Sequence, residues 1–228
     1  MIFNSEPKNW QELQIYVSKI FTDCGCENQI EKDIETVRGK VNIDVYVVDT
    51  LNTPNSIYLC ECKYWNNAIP KSVVHSFRSV VSDSGAHHGF LIAKKGFQSG
   101  AYEASSSTNL SILSWNEFQE MFYKRWLETM TENIKDNIYL MAKMTSKDIP
   151  NLSSSQFEYR EKIVIMTTRL VSSAWDGTEQ INKLKIPIIY SDINPHEKIK
   201  FNSKYDFFHY VNKRCLDIID DFNSFFSL

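Results

Sequence analysis

The sequence predicts an α/β core in its first half and a mainly helical region after it, and three features carry that reading. Apolar runs rich in Val, Ile, Tyr and Leu lie within residues 42–63, 89–93 and 111–115; they have strand length and are bounded by turn residues. Segments before and between them, such as 10–21 and 71–81, repeat apolar residues at helical spacing. Beyond about residue 130 the helical period dominates, so residues 1–130 are expected to form the α/β domain. Residues 131–228 would form a region for dimerisation, sensing or partner binding.

The elements follow in order. Asn9 with Glu12 is a capping-box pattern, and Trp10, Leu13, Val17, Ile20 and Phe21 form the stripe of a first helix that Gly25 can close with a left-handed turn. Residues 27–37 place Ile30 and Ile34 among Glu31, Asp33 and Glu35, an edge strand with a solvated acidic face. Arg38-Gly39-Lys40 turns the chain into the strand bearing Asp44, and a loop containing Pro54 leads to the next. That strand is apolar on both faces over 57–60, so it belongs in the middle of the sheet. Pro70 suits the first turn of a helix over 71–81 carrying Val73, Val74, Phe77 and Val81 inward. Residues 89–93 form a strongly apolar strand, 97–107 a short helix, and 111–115 the last strand.

Asn116 with Gln119 suggests the cap of a long helix whose stripe runs from Phe118 through Met130 to Met141. A polar break at 145–155, with Pro150 and three serines, then marks a boundary. Ser155 with Glu158 would cap a helix to Ala174, closed by Trp175-Asp176-Gly177. Residues 185–190 read as a short edge strand or loop because of Pro187, and a final helix spans about 203–226. Both C-terminal helices are amphipathic and need cover from each other, from the long helix or from a second copy of the chain.

Composition narrows the class. Apolar residues at 43% and charged ones at 23% describe an ordinary globular chain, and no apolar run is long enough to span a bilayer. Residues 1–8 lack the basic and apolar regions of a signal peptide, which points to the cytoplasm and to no membrane role. With 28 acidic against 25 basic residues there is no global excess of positive charge, so any nucleic-acid contact must come from a local patch or a partner. Five cysteines, an odd number, suit free thiols in a reducing compartment. The units Cys24-Gly25-Cys26 and Cys60-Glu61-Cys62 could hold zinc, but Cys60 and Cys62 alternate with Glu61 and Lys63 and so face the other side of the sheet, where thiols pack as small apolar groups.

The chemistry concentrates at Asp44, Glu61 and Lys63. Glu61 and Lys63 project from one face of their strand, and Asp44 can sit across from them if the two strands pair. Buried carboxylates need partners, and one divalent cation satisfies two at once, so an acid followed by acid-x-Lys is a candidate magnesium or manganese site. A phosphodiester suits that set: the metal would activate water, and Lys63 would hold the attacking water or a phosphate oxygen. The plain alternative is charged strand ends in solvent. Flanking cations that could meet phosphate are Arg38 and Lys40 at the turn, His75 and Arg78 on the helix after Lys63, and Lys94 and Lys95 at the end of the fourth strand. Arg38 and Lys40 read equally as a solvated turn, His75 and Arg78 read more simply as a polar helix face, and Lys94 and Lys95 need no role beyond the surface.

The order of these pieces resembles the PD-(D/E)xK nuclease superfamily, and within it the Mrr-like restriction endonuclease catalytic domain. The matching pieces are the helix ending at Cys24-Gly25, Arg38-Gly39-Lys40 before Ile43-Asp44, Cys60-Glu61-Cys62-Lys63, the helix with Val73 and Phe77, Gly89-Phe90-Leu91-Ile92, and Phe97-Gln98-Ser99-Gly100-Ala101. The resemblance implies a restriction-endonuclease-like three-layer α/β/α core, Asp44 and Glu61 as metal ligands and Lys63 as the catalytic lysine. Many relatives carry a glutamate in the first helix where this chain has Gln14, which is then implied to assist. The implied activity is Mg²⁺- or Mn²⁺-dependent cleavage of DNA in restriction or anti-phage defence, as a homodimer or with a partner defence protein. A non-catalytic subunit that keeps the fold for nucleic-acid binding or assembly is the rival reading. RNA as substrate stays open.

Overall fold

The computed structural model describes residues 1–146, 151–174, 184–191 and 196–226. The chain divides into two compact units: Met1 with Ser5–Trp126, and Ile2–Asn4 with Leu127–Leu228.

Helix α1 (Trp10–Asp23) opens the first unit. Asn9 accepts the Glu12 N–H at 2.8 Å as its N-cap, and Gly25, at φ +78°, closes it where the Cys26 N–H reaches back to the Phe21 carbonyl. Strands β1 (Glu27–Thr36), β2 (Gly39–Asp49) and β3 (Ser56–Lys63) follow in antiparallel sequence. Helix α2 (Lys71–Asp83), β4 (His88–Ala93), α3 (Ser99–Ser105) and β5 (Leu110–Ser114) then extend the sheet in parallel. The sheet order is β1-β2-β3-β4-β5, with β3 central as its apolar run predicts. Each parallel step is made by a helix, because two parallel neighbours cannot be joined by a tight turn.

Alternation along β3 and β4 divides the core into two halves. Leu59 and Leu91 pack with Val74, Phe77 and Val81 of α2 and Ala101 and Ala104 of α3. On the opposite face Tyr58 and Phe90 meet Phe21 of α1 in an aromatic cluster, joined by Phe118 and Phe122 of α4 (Trp115–Ser146); Phe21 and Phe122 centroids lie 4.8 Å apart. The first unit is therefore a three-layer α/β/α sandwich. A glycine is required at Gly89, where a Cβ would lie 2.6 Å from Val81 and 2.8 Å from Leu110, so α2 can approach the sheet closely.

Two helix starts differ from the sequence expectation. The cap of α4 is Ser114 rather than Asn116: the Ser114 hydroxyl accepts the Glu117 N–H, and Glu117 Oε2 takes the Ser114 N–H at 2.7 Å. Both pairs fit a capping box, but Ser114 and Glu117 start the helix earlier and turn Trp115 from a strand residue into a helical one. Likewise α5 (Ser154–Ala174) is capped by Ser153 with Gln156, not Ser155 with Glu158. The expected ending at Trp175-Asp176-Gly177 and Pro150 of the polar break lie outside the described residues.

The second unit contains the rest of α4, α5, a two-stranded antiparallel sheet of β6 (Ile188–Tyr190) and β7 (Ile199–Phe201), and α6 (Lys204–Phe226) capped by Ser203. β6 keeps part of the expected 185–190 segment, while β7 is too short to leave a periodic signal. The helices cover one another: Asn137 of α4 donates to Asn212 of α6 at 2.8 Å, and Tyr159 of α5 packs on Phe225 of α6 at 4.8 Å. The N-terminal residues join this unit, with Phe3 stacked on Tyr205 at 4.2 Å. Among the described residues no helix is long and apolar enough to cross a membrane.

Candidate functional site

The end of β3 keeps strict alternation, and that places Glu61 and Lys63 together. In register with Leu91 and Ala93 of β4, they point to the α2 side, while Cys60 and Cys62 are buried on the other. Lys63 Nζ is ion-paired with Glu61 Oε1, each side chain about one-fifth exposed (22% and 21%). Both line an open cavity of about 360 Å³ bordered by Trp65 and by Ser72, Ser76 and Phe77 of α2.

β2 does not keep alternation. Ile43 and Tyr46, an odd and an even position, pack against the same α2-side cluster, so the period of two breaks between them, at Asp44. The ladder with β3 ends at Val45 and Cys60, and two residues further the Cys62 N–H donates to Asp44 Oδ2 at 2.6 Å. A side-chain carboxylate thus captures a strand N–H at the point where β2 and β3 part. Asp44 Oδ1 accepts from Gln14 Nε2 at 2.8 Å, and the same nitrogen donates to Glu31 Oε1 at 2.9 Å. Gln14 is 4% exposed, so its amide is a buried wedge between two carboxylates. Glu31 stands in the β1 register opposite Asp44 and has φ +54°, a left-handed backbone unusual for a non-glycine residue.

These surroundings treat the carboxyls harshly. Burial pushes Asp44 above the ordinary carboxylate range and the Glu31 charge adds to it; the Cys62 N–H, Lys63 and Gln14 work in the opposite direction. Glu61 is also raised, first by burial and then by the negative charge of Asp44, with Lys63 opposing. Asp44 lines a second cavity of about 280 Å³ with Gln14 and Cys62, and Lys63 and Trp65 border both cavities. The arrangement is two carboxylates that would gain from a cation, and one ammonium at the junction of the two openings. Magnesium and manganese take oxygen donors, often one or two carboxylates with water and phosphate completing the shell, so this pair fits the donor chemistry. Among the described residues no group of three or more His, Cys, Asp and Glu side chains is arranged to hold a metal by itself. Burial raises the Cys60 and Cys62 thiols well above their ordinary range, and it pushes Cys24 up to about 12 and Cys26 to about 11; Cys24, Cys60 and Cys62 pack as apolar groups, and Cys26 Sγ accepts from Arg125 at 3.3 Å.

The flanking cations are placed unevenly. Arg38 Nε pairs with Asp83 at 2.8 Å and Lys40 with Asp33 at 3.0 Å, both near the β1–β2 turn. Lys94 adjoins the site, since its N–H donates to the Lys63 carbonyl at 3.0 Å; its Nζ donates to Asn66 and lies 4.0 Å over the Tyr64 ring. Lys95 is exposed in the following turn. His75 and Arg78 do not line the α2 cavity, where Ser72 and Ser76 stand instead. Glu31 is exposed, as the acidic row of β1 predicts, but it also meets Gln14, a contact that counting back from the turn at Gly39 makes legible by setting Glu31 opposite Asp44. The sequence assigns Trp10 to the apolar stripe, whereas the structure leaves that ring half exposed, at the mouth of the Asp44 cavity with Tyr64 and Trp65.

The chain has 14% identity and a TM-score of 0.43 to a crystal structure of a protein of unknown function, AF1548, with 93% of this chain and 98% of that chain covered. No curated protein matches it. A family model described as restriction endonuclease, the Mrr-type catalytic domain, matches residues 7–122, from just before α1 to the middle of the aromatic cluster on α4. That span takes in β1 to β5, Gln14, Asp44, Glu61 and Lys63, and the chain belongs to this restriction endonuclease family.

Proposed function

We propose that this chain is an endonuclease that hydrolyses phosphodiester bonds in DNA with Mg²⁺ or Mn²⁺, in restriction or anti-phage defence in the cytoplasm. One observation carries the reading: two partly buried carboxylates with raised proton affinity line adjacent cavities that share one lysine, where β2 separates from β3. A scaffold has no use for that cluster, because burying it without a cation only costs stability.

Asp44 and Glu61 would hold the ion. When bound, the ion lowers the pKa of a water and offsets negative charge on the phosphate. The protein's own groups do the remainder. The Cys62 N–H and the Gln14 amide fix the two oxygens of Asp44, so the carboxylate is preorganised rather than recruited. Glu61 holds the Lys63 ammonium at the mouth of both cavities; from there Lys63 can donate to a phosphate oxygen or orient the nucleophile. Ser72 and Ser76 are proposed contacts to the DNA backbone, and the helical second unit is proposed to pair two copies or to bind a partner defence protein.

Supercoiled plasmid incubated with the protein in Mg²⁺ tests the reading, with EDTA and Asp44→Ala and Lys63→Ala variants alongside. Nicking that needs the metal and is lost in both variants is the expected outcome. Nicking that both variants retain would assign it to another source.

A further inference from the structure

We propose that the Asp44 cavity seats an unstacked base of the DNA strand being cut, held by the rings of Trp10, Tyr64 and Trp65. This rests on the nuclease reading of the same site. The cavity, about 280 Å³, is near the lower end of the range for small-molecule pockets, and three of its seven lining residues are aromatic. Trp10 is 49% exposed and Trp65 45%, although rings of this size ordinarily gain by burial. Two such indoles beside one small opening are an exposed apolar patch of the kind that marks a ligand contact.

Charge and position identify the occupant. The chain carries a net charge of −3, Arg38 and Lys40 are paired with Asp83 and Asp33, and Lys94 is engaged by Asn66 and Tyr64. Attraction to phosphate is therefore a weak source of affinity here, and stacking supplies what charge does not: every base has a π-face, and one stacked base strengthens binding roughly tenfold or more. Asp44, assigned to the ion, and Lys63, assigned to the phosphate, line the same cavity as the rings, so a base attached to the reacting nucleotide is the aromatic group within reach. In an intact duplex that base is covered on both faces by its neighbours. It must leave the stack to meet these rings, and it does so at least cost where it is already unpaired.

Binding is measured on the intact chain in EDTA, where no cleavage confuses the signal, by anisotropy of a labelled duplex and of the same duplex with a one-nucleotide bulge. The bulged DNA should bind roughly tenfold tighter. Trp65→Ala and Trp10→Ala should each reduce that preference several-fold, read as the ratio of bulged to perfect-duplex affinity so that any loss common to both DNAs cancels, and Trp65→Phe should restore most of it. Both indoles are half exposed, so circular dichroism should show the alanine variants folded. Equal affinity for the two DNAs, or a preference that survives both alanine substitutions, overturns the proposal. Cleavage in Mg²⁺ is scored separately. A protein that prefers the bulge but cuts nothing loses the nuclease reading and keeps the base pocket, and a protein that cuts without the preference does the reverse.

Discussion

Strand β2 carries an aspartate at each end of its core stretch, and the two are treated in opposite ways. Asp49 is fully buried, but it receives a two-pronged grip from Arg125 of α4, at 2.6 and 2.9 Å, and also accepts from Tyr58 and the Leu51 N–H. The Arg125 hydrogen bonds hold its carboxyl below the ordinary range. Asp44, five residues away, has only neutral donors directly on it and a second carboxylate nearby, and its carboxyl is raised. One aspartate is satisfied by the fold. The other is left wanting positive charge, and that is what a structural carboxylate and a functional one look like on the same strand.

Neutralising each in turn should expose the difference. Asp44→Asn keeps an acceptor for Cys62 and removes the charge that burial penalises, so cleavage should drop by about 10²- to 10³-fold, as when a group acting at the reaction centre is lost. The melting temperature of the metal-free protein should nevertheless rise. Arg125→Ala should do the reverse and strand a buried carboxylate: because the arginine is a third exposed, the loss is near the lower end for broken buried pairs, about 3 kcal/mol in urea denaturation. A variant at Asp44 that melts early, or one at Arg125 that melts normally, would show that the two ends of β2 are not distinguished in this way.

Proton linkage sharpens the contrast. Asp49 has a depressed folded pKa, so it contributes stability above the unfolded value of about 3.9, and that stability is lost as pH falls through the folded one. Asp44 and Glu61 have raised folded values, so the metal-free protein binds their protons more tightly than the unfolded chain does and loses stability as pH rises above about 4. Asp44→Asn should flatten that decline. If cleavage needs both carboxylates ionised, its acid limb should lie above the ordinary carboxylate range. Gln14→Leu, which deletes an amide that favours the charged Asp44, should move the limb higher still.

The two aspartates also show what a sequence can disclose. Glu61 and Lys63 were readable as a pair, and Cys60 and Cys62 as their buried counterparts, because a central strand with helices on both faces enforces the period of two. The order of strands and helices was readable for the same reason. Asp44 was readable as a member of the set, but its hold on Cys62 and Gln14 was not, since it depends on a broken alternation and on a helix 30 residues away. The role of Asp49 is not legible in the sequence, because its partner is 76 residues distant and nothing local marks the match. The caps at Ser114 and Ser153 were missed because overlapping polar pairs satisfy the same pattern, and the choice between them is made by where the preceding segment must end.

The smallest effect belongs to Glu31, and it tests whether the break in β2 is matched across the hairpin. Ile30 and Lys32 keep one-to-one register with Val45 and Ile43, so the left-handed backbone at Glu31 adds no residue; it coincides instead with the loss of alternation at Asp44 and accompanies the Gln14 contact. A β-branched side chain resists that conformation and offers Gln14 no acceptor, so Glu31→Val should cost about 1–2 kcal/mol by thermal or urea unfolding. Asp33 sits on the same strand, exposed, with ordinary backbone and an exposed ion pair to Lys40, and Asp33→Val should stay within about 0.5 kcal/mol of the parent. Cleavage should fall several-fold in the first variant and not in the second, because only Glu31 shares the amide that orients Asp44. Equal costs at the two positions would mean that the strained residue is incidental and that Asp44 is held by β3 and α1 alone.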